Sequence, residues 1–281
     1  MVNLKIKIGK LTLKNPVMVA SGTFGEEYGE VIDINSLGAY VAKTITLESR
    51  LGNPAPRLAE TASGMLNSIG LENKGFEYFA KEKAPFLEKL KTAVVISIAG
   101  NTATEFKELA RRVSKLKCAD AIEVNLSCPN VKHGSREGLI AQDADATFEV
   151  IKAVKKATKL TVIAKLTPNV TDIVKIALAA ERAGADAILV ANTFLGMAVD
   201  VQAKRPKLGN TIGGLSGPAI KPMALKMVWD TYKKIKVPVI GCGGIMDYKD
   251  ALEFILCGAK AVQVGTANFV DPTAMINIIN G

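Results

Sequence analysis

Residues 125–128 read Asn-Leu-Ser-Cys, a thiol three positions after an amide, and two lysines, Lys43 and Lys165, close the apolar runs Tyr-Val-Ala-Lys and Val-Ile-Ala-Lys. A lysine kept for solubility carries its ammonium out to water along its alkyl stem. Two that end buried-type runs point instead to contact with a ligand. Gly241-Cys242-Gly243-Gly244 and Gly265-Thr266-Ala267 are turns of the kind whose backbone N–H groups hold phosphate. Ser21-Gly22, Thr44, Asn101, Asn125 and Asn192-Thr193 add hydroxyl and amide groups that both donate and accept. Together these groups suit an anionic ligand with a planar, hydrogen-bonding ring. No carboxylate dyad, metal cluster or Ser-His-Asp arrangement falls among these positions, so hydrolytic and metal-assisted mechanisms lose ground. The single histidine, His133, sits in the polar stretch Lys132 to Ser135 and reads as surface loop.

What must position these groups is a series of eight short apolar runs: 17–20, 40–43, 94–98, 121–125, 162–166, 187–191, 237–241 and 261–264. Their near-continuous hydrophobicity suits parallel strands buried on both faces. Between them, 104–116, 144–157, 171–183 and 248–256 carry apolar residues at helical spacing. Thr171-Asp172 and Asp247 stand where N-caps belong, and Gly184 and Gly258 where C-caps do. Strand and helix alternating eight times predict an α/β fold, a closed (β/α)8 TIM barrel, with an open doubly wound sheet as the alternative. The chemistry-bearing residues all fall at strand C-terminal ends, where such barrels carry their sites. Residues 4–8 and 11–13 around Gly9-Lys10 predict an N-terminal β-hairpin able to plug the opposite mouth. A 50-residue segment inserted after strand 2, Thr44 to Ala93, holds a helical stretch over 76–90, and long loops at this mouth usually carry function. No linker divides residues 1–281, so a single domain is expected.

Composition bounds this reading. With 281 residues, 48% hydrophobic and 22% charged, the chain can bury a large core. Its longest apolar runs fall far short of the roughly 20 residues of a membrane helix. Residues 1–5 lack a secretory pattern, so a cytoplasmic location is expected. The net charge of +9 comes from lysines dispersed along helices, such as Lys152, Lys155, Lys156 and Lys159, which favours a solvated face over nucleic-acid binding. The four cysteines lack C-x-x-C or metal spacing. Cys118 and Cys257, in the last turns of predicted helices, read as packing residues.

In this order, the residues resemble the dihydroorotate dehydrogenase family, and the match runs from Lys14 to Pro272. The specific segments are LKNPVMVASGTFG from Leu13, GMLNSIGLEN from Gly64, EVNLSCPNVKHG from Glu123, AKLTPNVTD from Ala164, GGLSGPAIKP from Gly213 and IGCGGI from Ile240. TLESRLGNPAPR from Thr46 resembles the class 1B catalytic subunits. The resemblance implies oxidation of dihydroorotate to orotate in pyrimidine synthesis, with Cys128 as base and FMN taking the hydride. It assigns Lys43, Asn67, Ser68, Ile69, Gly70, Leu71, Asn125, Asn192 and Thr193 to the substrate. For FMN the matched positions are Ser21, Gly22, Lys43, Thr44, Asn101, Asn125, Lys165, Ala191, Gly217, Gly243, Gly244, Gly265 and Thr266. Lys165 is expected at the pyrimidine edge of the flavin, where negative charge grows on reduction. The run Glu72-Asn73-Lys74-Gly75 and the loop His133 to Gly138 depart from the family pattern.

Class 1B relatives work with a second subunit carrying FAD and a [2Fe-2S] cluster and reduce NAD. This sequence holds neither a G-x-G-x-x-G fingerprint opening a βαβ unit nor cluster spacing, so NAD as acceptor requires that partner chain. The implied assembly is a catalytic homodimer within a heterotetramer. A class 1A-like enzyme using fumarate is the nearest alternative. A tRNA-dihydrouridine synthase-like flavoenzyme would call for an RNA-binding extension, which is not expected beyond Gly281.

Overall fold

A computed structural model of the chain describes residues 3–127 and 140–281. Eight parallel strands close into a barrel, in chain order Val17–Val19, Ala39–Ile45, Ala93–Ile98, Ala121–Asn125, Thr161–Lys165, Ala187–Val190, Val239–Cys242 and Ala259–Val264. These are barrel strands 1 to 8. The expected barrel is therefore present, each strand within two residues of its expected bounds, and the open sheet is excluded by the pairing that returns strand 8 to strand 1, Gln263 beside Met18.

The strands form because Val, Ile and Ala fill both faces. One face packs on the surrounding helices and the other fills the barrel, so nearly every strand residue is buried. Helices Ala103–Val113, Ala144–Ala157, Ile173–Arg182, Lys221–Tyr232 and Tyr248–Leu256 return the chain after strands 3 to 7. The expected N-caps are made: Asp172 accepts from the N–H groups of Val174 and Lys175, and Asp247 forms a capping box with Asp250. The first of these helices stops at Val113, and Cys118 lies in the turn that follows, still buried.

The hairpin Ile6–Ile8 and Leu11–Leu13 lies across the N-terminal mouth, with Ile8 and Leu13 fully buried. Its turn is pinned there because the Lys10 N–H donates to Thr161 Oγ1, at the start of strand 5, at 3.0 Å.

The insertion after strand 2 is richer than its sequence suggested. Leu58–Thr61 and Gly64–Asn67 pair with each other and join Ile212–Ser216 and Phe194–Met197, from the segment after strand 6, in a four-stranded antiparallel sheet. These strands are short and half polar, and their partners lie some 150 positions away. The helix expected over 76–90 is two short turns, Gly75–Tyr78 and Ala84–Leu87, joined by a π-helical segment Phe79–Lys83.

Phe254, fully buried, packs its ring over Gly241 of strand 7, where a Cβ would stand 2.4 Å from the ring. Phe254→Ala would open a cavity against that strand and cost about 3–5 kcal/mol. Urea unfolding checks this, and a loss below about 1 kcal/mol would show that the contact does not brace the strand.

Candidate active site

The strand ends and the extra sheet enclose a cavity of about 430 Å³ at the C-terminal mouth. Ser21, Gly22, Lys43, Thr44, Asn67, Ser68, Ile69, Gly70, Leu71, Asn125, Lys165, Ala191, Asn192, Thr193, Gly243, Gly244, Gly265 and Thr266 all line it. Two expected residues do not. Asn101 stands behind the wall, its amide and N–H bonded to Glu105 and its Oδ1 accepting from Arg50. Gly217 lies beneath the glycine turn, so that a Cβ on Gly244 would come within 2.9 Å of the Gly217 carbonyl. Cys128 and His133 fall outside the described residues.

The cavity floor is a polar layer inside the barrel. Strand periodicity turns Ser97, Glu123, Lys165 and Gln263 inward from strands 3, 4, 5 and 8, and all four are buried. Gln263 Nε2 donates across the barrel to Glu123 Oε2 at 2.6 Å, and Ser97 Oγ donates to Glu123 Oε1 at 3.0 Å. Lys165 Nζ lies 3.5 Å from Glu123 Oε1, 3.4 Å from Gln263 Oε1 and 3.5 Å from Ser21 Oγ. Thr44 Oγ1 is 2.9 Å from Ser97 Oγ. Because the one Ser97 proton goes to Glu123, Thr44 is the donor of that bond.

One wall comes from the insertion. Gly70 and Leu71 both adopt left-handed backbone, φ 71° and 56°, which a leucine tolerates only where its surroundings hold it. Asn73 provides that hold: its Oδ1 accepts from the N–H groups of Thr46 and Gly75, while its Nδ2 donates to Thr46 Oγ1 and the Leu71 carbonyl. The Gly70 and Leu71 N–H groups donate to no acceptor among the described residues. The ion pair of Glu72 with Arg57 fastens the same loop from outside. On the same side, Asn67 donates to the Gly214 carbonyl at 3.3 Å; opposite, the Asn192 amide lies 3.5 Å from Asn125 Oδ1.

Lys43 reaches the cavity from strand 2, open to its mouth but walled by protein. Desolvation holds its ammonium below the usual lysine range and the nearby Lys165 charge adds to this, while Glu72 opposes it. The Cys242 thiol on the cavity floor is pushed up, first by burial and then by Glu123, against the pull of Lys165. It is a neutral thiol at pH 7. Among the described residues no group of three His, Cys, Asp or Glu side chains could hold a metal.

The flavin mononucleotide implied by the sequence resemblance fits these groups. The backbone N–H groups of Gly243, Gly244, Gly265 and Thr266 donate to no acceptor among the described residues, a ready cradle for phosphate. Lys165 presents a buried ammonium, and the buried Ser127 hydroxyl on the cavity wall has no partner among the described residues. Glu123, Gln263, Ser97 and Asn73 escaped the sequence reading. A signal existed for the first three, since each is a polar residue at an inward position of an otherwise apolar strand. Asn73 carried none, because its role is set by the loop it ties.

Since the fold disfavours the charged form of Lys43, the replacement Lys43→Met should raise the melting temperature of the ligand-free protein at pH 7 and weaken binding of an anionic ligand. The gain should shrink at alkaline pH, as wild type sheds the Lys43 proton in the folded state before the unfolded chain does. Thermal melts from pH 6 to 10 check this, and a lower melting temperature in the variant at pH 7 would contradict it.

Comparison with known proteins agrees with the site. The dihydroorotate dehydrogenase family matches residues 3–281. A protein of Desulforamulus reducens named dihydroorotate dehydrogenase B (NAD(+)), catalytic subunit, is 56% identical over 281 residues, covering 99% of this chain and 92% of its own. One of the same name from Bacteroides thetaiotaomicron is 50% identical, covering 100% of this chain and 93% of its own. The crystal structure of an Eimeria tenella DHODH in complex with ferulenol overlies 99% of this chain and 83% of its own, with TM-score 0.79 and 27% identity. With a matching barrel, a polar cavity at its mouth and a family match over the described chain, this protein belongs to the dihydroorotate dehydrogenase family.

Proposed function

We propose that this chain oxidises (S)-dihydroorotate to orotate in pyrimidine biosynthesis, as the catalytic subunit of an enzyme whose final acceptor is NAD. One observation carries the reading: free donors at Gly70-Leu71, the amides of Asn67, Asn125 and Asn192, and the buried Lys165 face one cavity, on whose wall Ser127 directly precedes Cys128. The names of the relatives support the same activity.

The roles follow from the groups. The Gly70 and Leu71 N–H groups, with Lys43, receive the substrate carboxylate. Asn67, Asn125, Asn192 and Thr193 match the ring's alternating carbonyl and N–H edges, with Ser68 and Ile69 completing that wall. A ligand lacking those groups would leave buried amides unpaired and be rejected. Cys128 takes the C5 proton. FMN, when bound, would supply the acceptor for the hydride that leaves C6. Lys165 would meet the pyrimidine edge of the flavin, Ser21, Gly22, Thr44, Asn125 and Ala191 would border it, and Gly243, Gly244, Gly265 and Thr266, backed by Gly217, would hold its phosphate.

Electrons leave for NAD through a partner subunit bearing FAD and a [2Fe-2S] cluster, in a heterotetramer built on a catalytic homodimer in the cytoplasm. Leu58, Leu195, Ile212 and Phe269 border the cavity and are 54, 63, 48 and 55% exposed, an apolar rim suited to a protein partner. Among the described residues no helix is long and apolar enough to cross a membrane. Co-purification with an iron–sulfur flavoprotein would separate this assembly from a fumarate-using homodimer.

Anaerobic addition of dihydroorotate to the FMN-loaded chain should bleach its flavin absorption without any second protein. Absence of bleaching in FMN-loaded protein would remove the proposed activity. Cys128→Ala should slow the bleaching at least about hundredfold at neutral pH while FMN stays bound; wild-type rates would remove Cys128 from its role. Lys165→Ala should weaken FMN retention or slow its reduction, and unchanged values for both would contradict its placement.

A further inference from the structure

We propose that Glu123 is a positioning residue, the counter-charge that keeps the Lys165 ammonium in place beneath the flavin and sets the charge the barrel presents to it. The inference rests on the FMN reading above for its functional consequence, and on the geometry of the polar layer for the pairing itself.

Glu123 is fully buried and ends every chain of donors in that layer. Thr44 donates to Ser97 and Ser97 to one carboxylate oxygen, while the Gln263 amide donates to the other from across the barrel. Donation by Gln263 Nε2 to Glu123 decides how its amide is turned, and so leaves Gln263 Oε1 facing Lys165 Nζ at 3.4 Å. Glu123 therefore holds the lysine twice, directly by charge and indirectly by orienting its amide acceptor. Lys165 keeps contacts of 3.4–3.5 Å to three acceptors, loose enough for an N–H to turn toward a ligand in the cavity.

Charge makes the arrangement more than packing. The other titratable groups facing Lys165 among the described residues are Lys43 on strand 2, of like charge, and the neutral thiol Cys242 on strand 7. Among the described residues Glu123 is the one carboxylate in contact with it. Without that carboxylate a buried ammonium beside a second lysine would favour losing its proton. With it, the layer under the flavin is neutral overall, and Glu123 offsets part of the lysine's pull on the electrons that a reduced flavin carries. Glu123 thus keeps the bound flavin harder to reduce than Lys165 alone would make it.

The test compares wild type with E123Q, which keeps shape and removes charge. In flavin-free protein, cyanate carbamylates neutral amines, and peptide mass spectrometry follows Lys165 against the exposed Lys159. Lys165 should react at least tenfold faster in E123Q. In FMN-loaded protein at pH 6, the reduced-to-oxidised ratio at a given potential should rise at least tenfold, about 30 mV for a two-electron couple. A folded E123Q with carbamylation and potential within twofold of wild type would overturn the proposal. If E123Q does not fold, the double variant E123Q/K165M should recover the fold, since both charges leave together; failure to recover it would also overturn the pairing. Should wild type take up no FMN, the flavin reading falls while the carbamylation comparison still decides the role of Glu123.

Discussion

A lysine ammonium buried inside an apolar barrel is the constraint around which the site is built. Lys165 is 4% exposed, and a charge so placed needs both an opposite charge and hydrogen-bond acceptors. Glu123, Gln263 and Ser21 supply them from three different strand ends or interiors. Two unit charges about 4 Å apart attract by about 4 kcal/mol at an effective dielectric of about 20. Desolvating each ion costs several kcal/mol, so the pair adds little net stability. The energetic sense of the layer lies in the cavity above it, where a fixed positive charge meets a ligand with no reorganisation at the moment of reaction.

The barrel makes that layer possible through strand periodicity. Alternate residues of strands 3, 4, 5 and 8 point inward, so Ser97, Glu123, Lys165 and Gln263 meet near the axis although up to 166 positions separate them in the chain. Their outward neighbours, such as Ile122 and Val124, stay buried and apolar against the helices. The hairpin closes the far mouth, and this leaves the C-terminal mouth as the open one. Above it, the sheet joining the segments after strands 2 and 6 carries Asn67 and the Gly70-Leu71 turn to the side opposite Asn125 and Asn192. Ligand-binding donors therefore come from rigid strand ends on one side and from a tied loop on the other.

The cavity trades stability for binding. Lys43 sits where its charge is disfavoured, Leu71 holds a left-handed backbone, and Ser127 carries a buried hydroxyl without a partner among the described residues. Each costs free energy in the ligand-free fold, and each is a group that a bound anion or amide would satisfy. All three of these groups line the one cavity at the mouth of the barrel opposite the hairpin.

Much of this was legible in the residues themselves. The eight apolar runs, their helical spacers and the caps at Asp172 and Asp247 depend on contacts near in sequence, and they appear within three residues of where periodicity puts them. Lys43, Lys165 and the glycine turns stood out because they end apolar runs. The order and spelling of the segments from Leu13 to Ile245 pointed to the family. Only the folded chain decided the rest. Asn101 is drawn away from the cavity by Glu105 and Arg50, the short strands 58–61 and 64–67 exist through partners after strand 6, and Glu123 and Gln263 become one site by meeting across the barrel axis. In sequence these are isolated polar residues or weak alternations, since what defines them is a neighbour that only closure of the barrel brings within hydrogen-bonding distance.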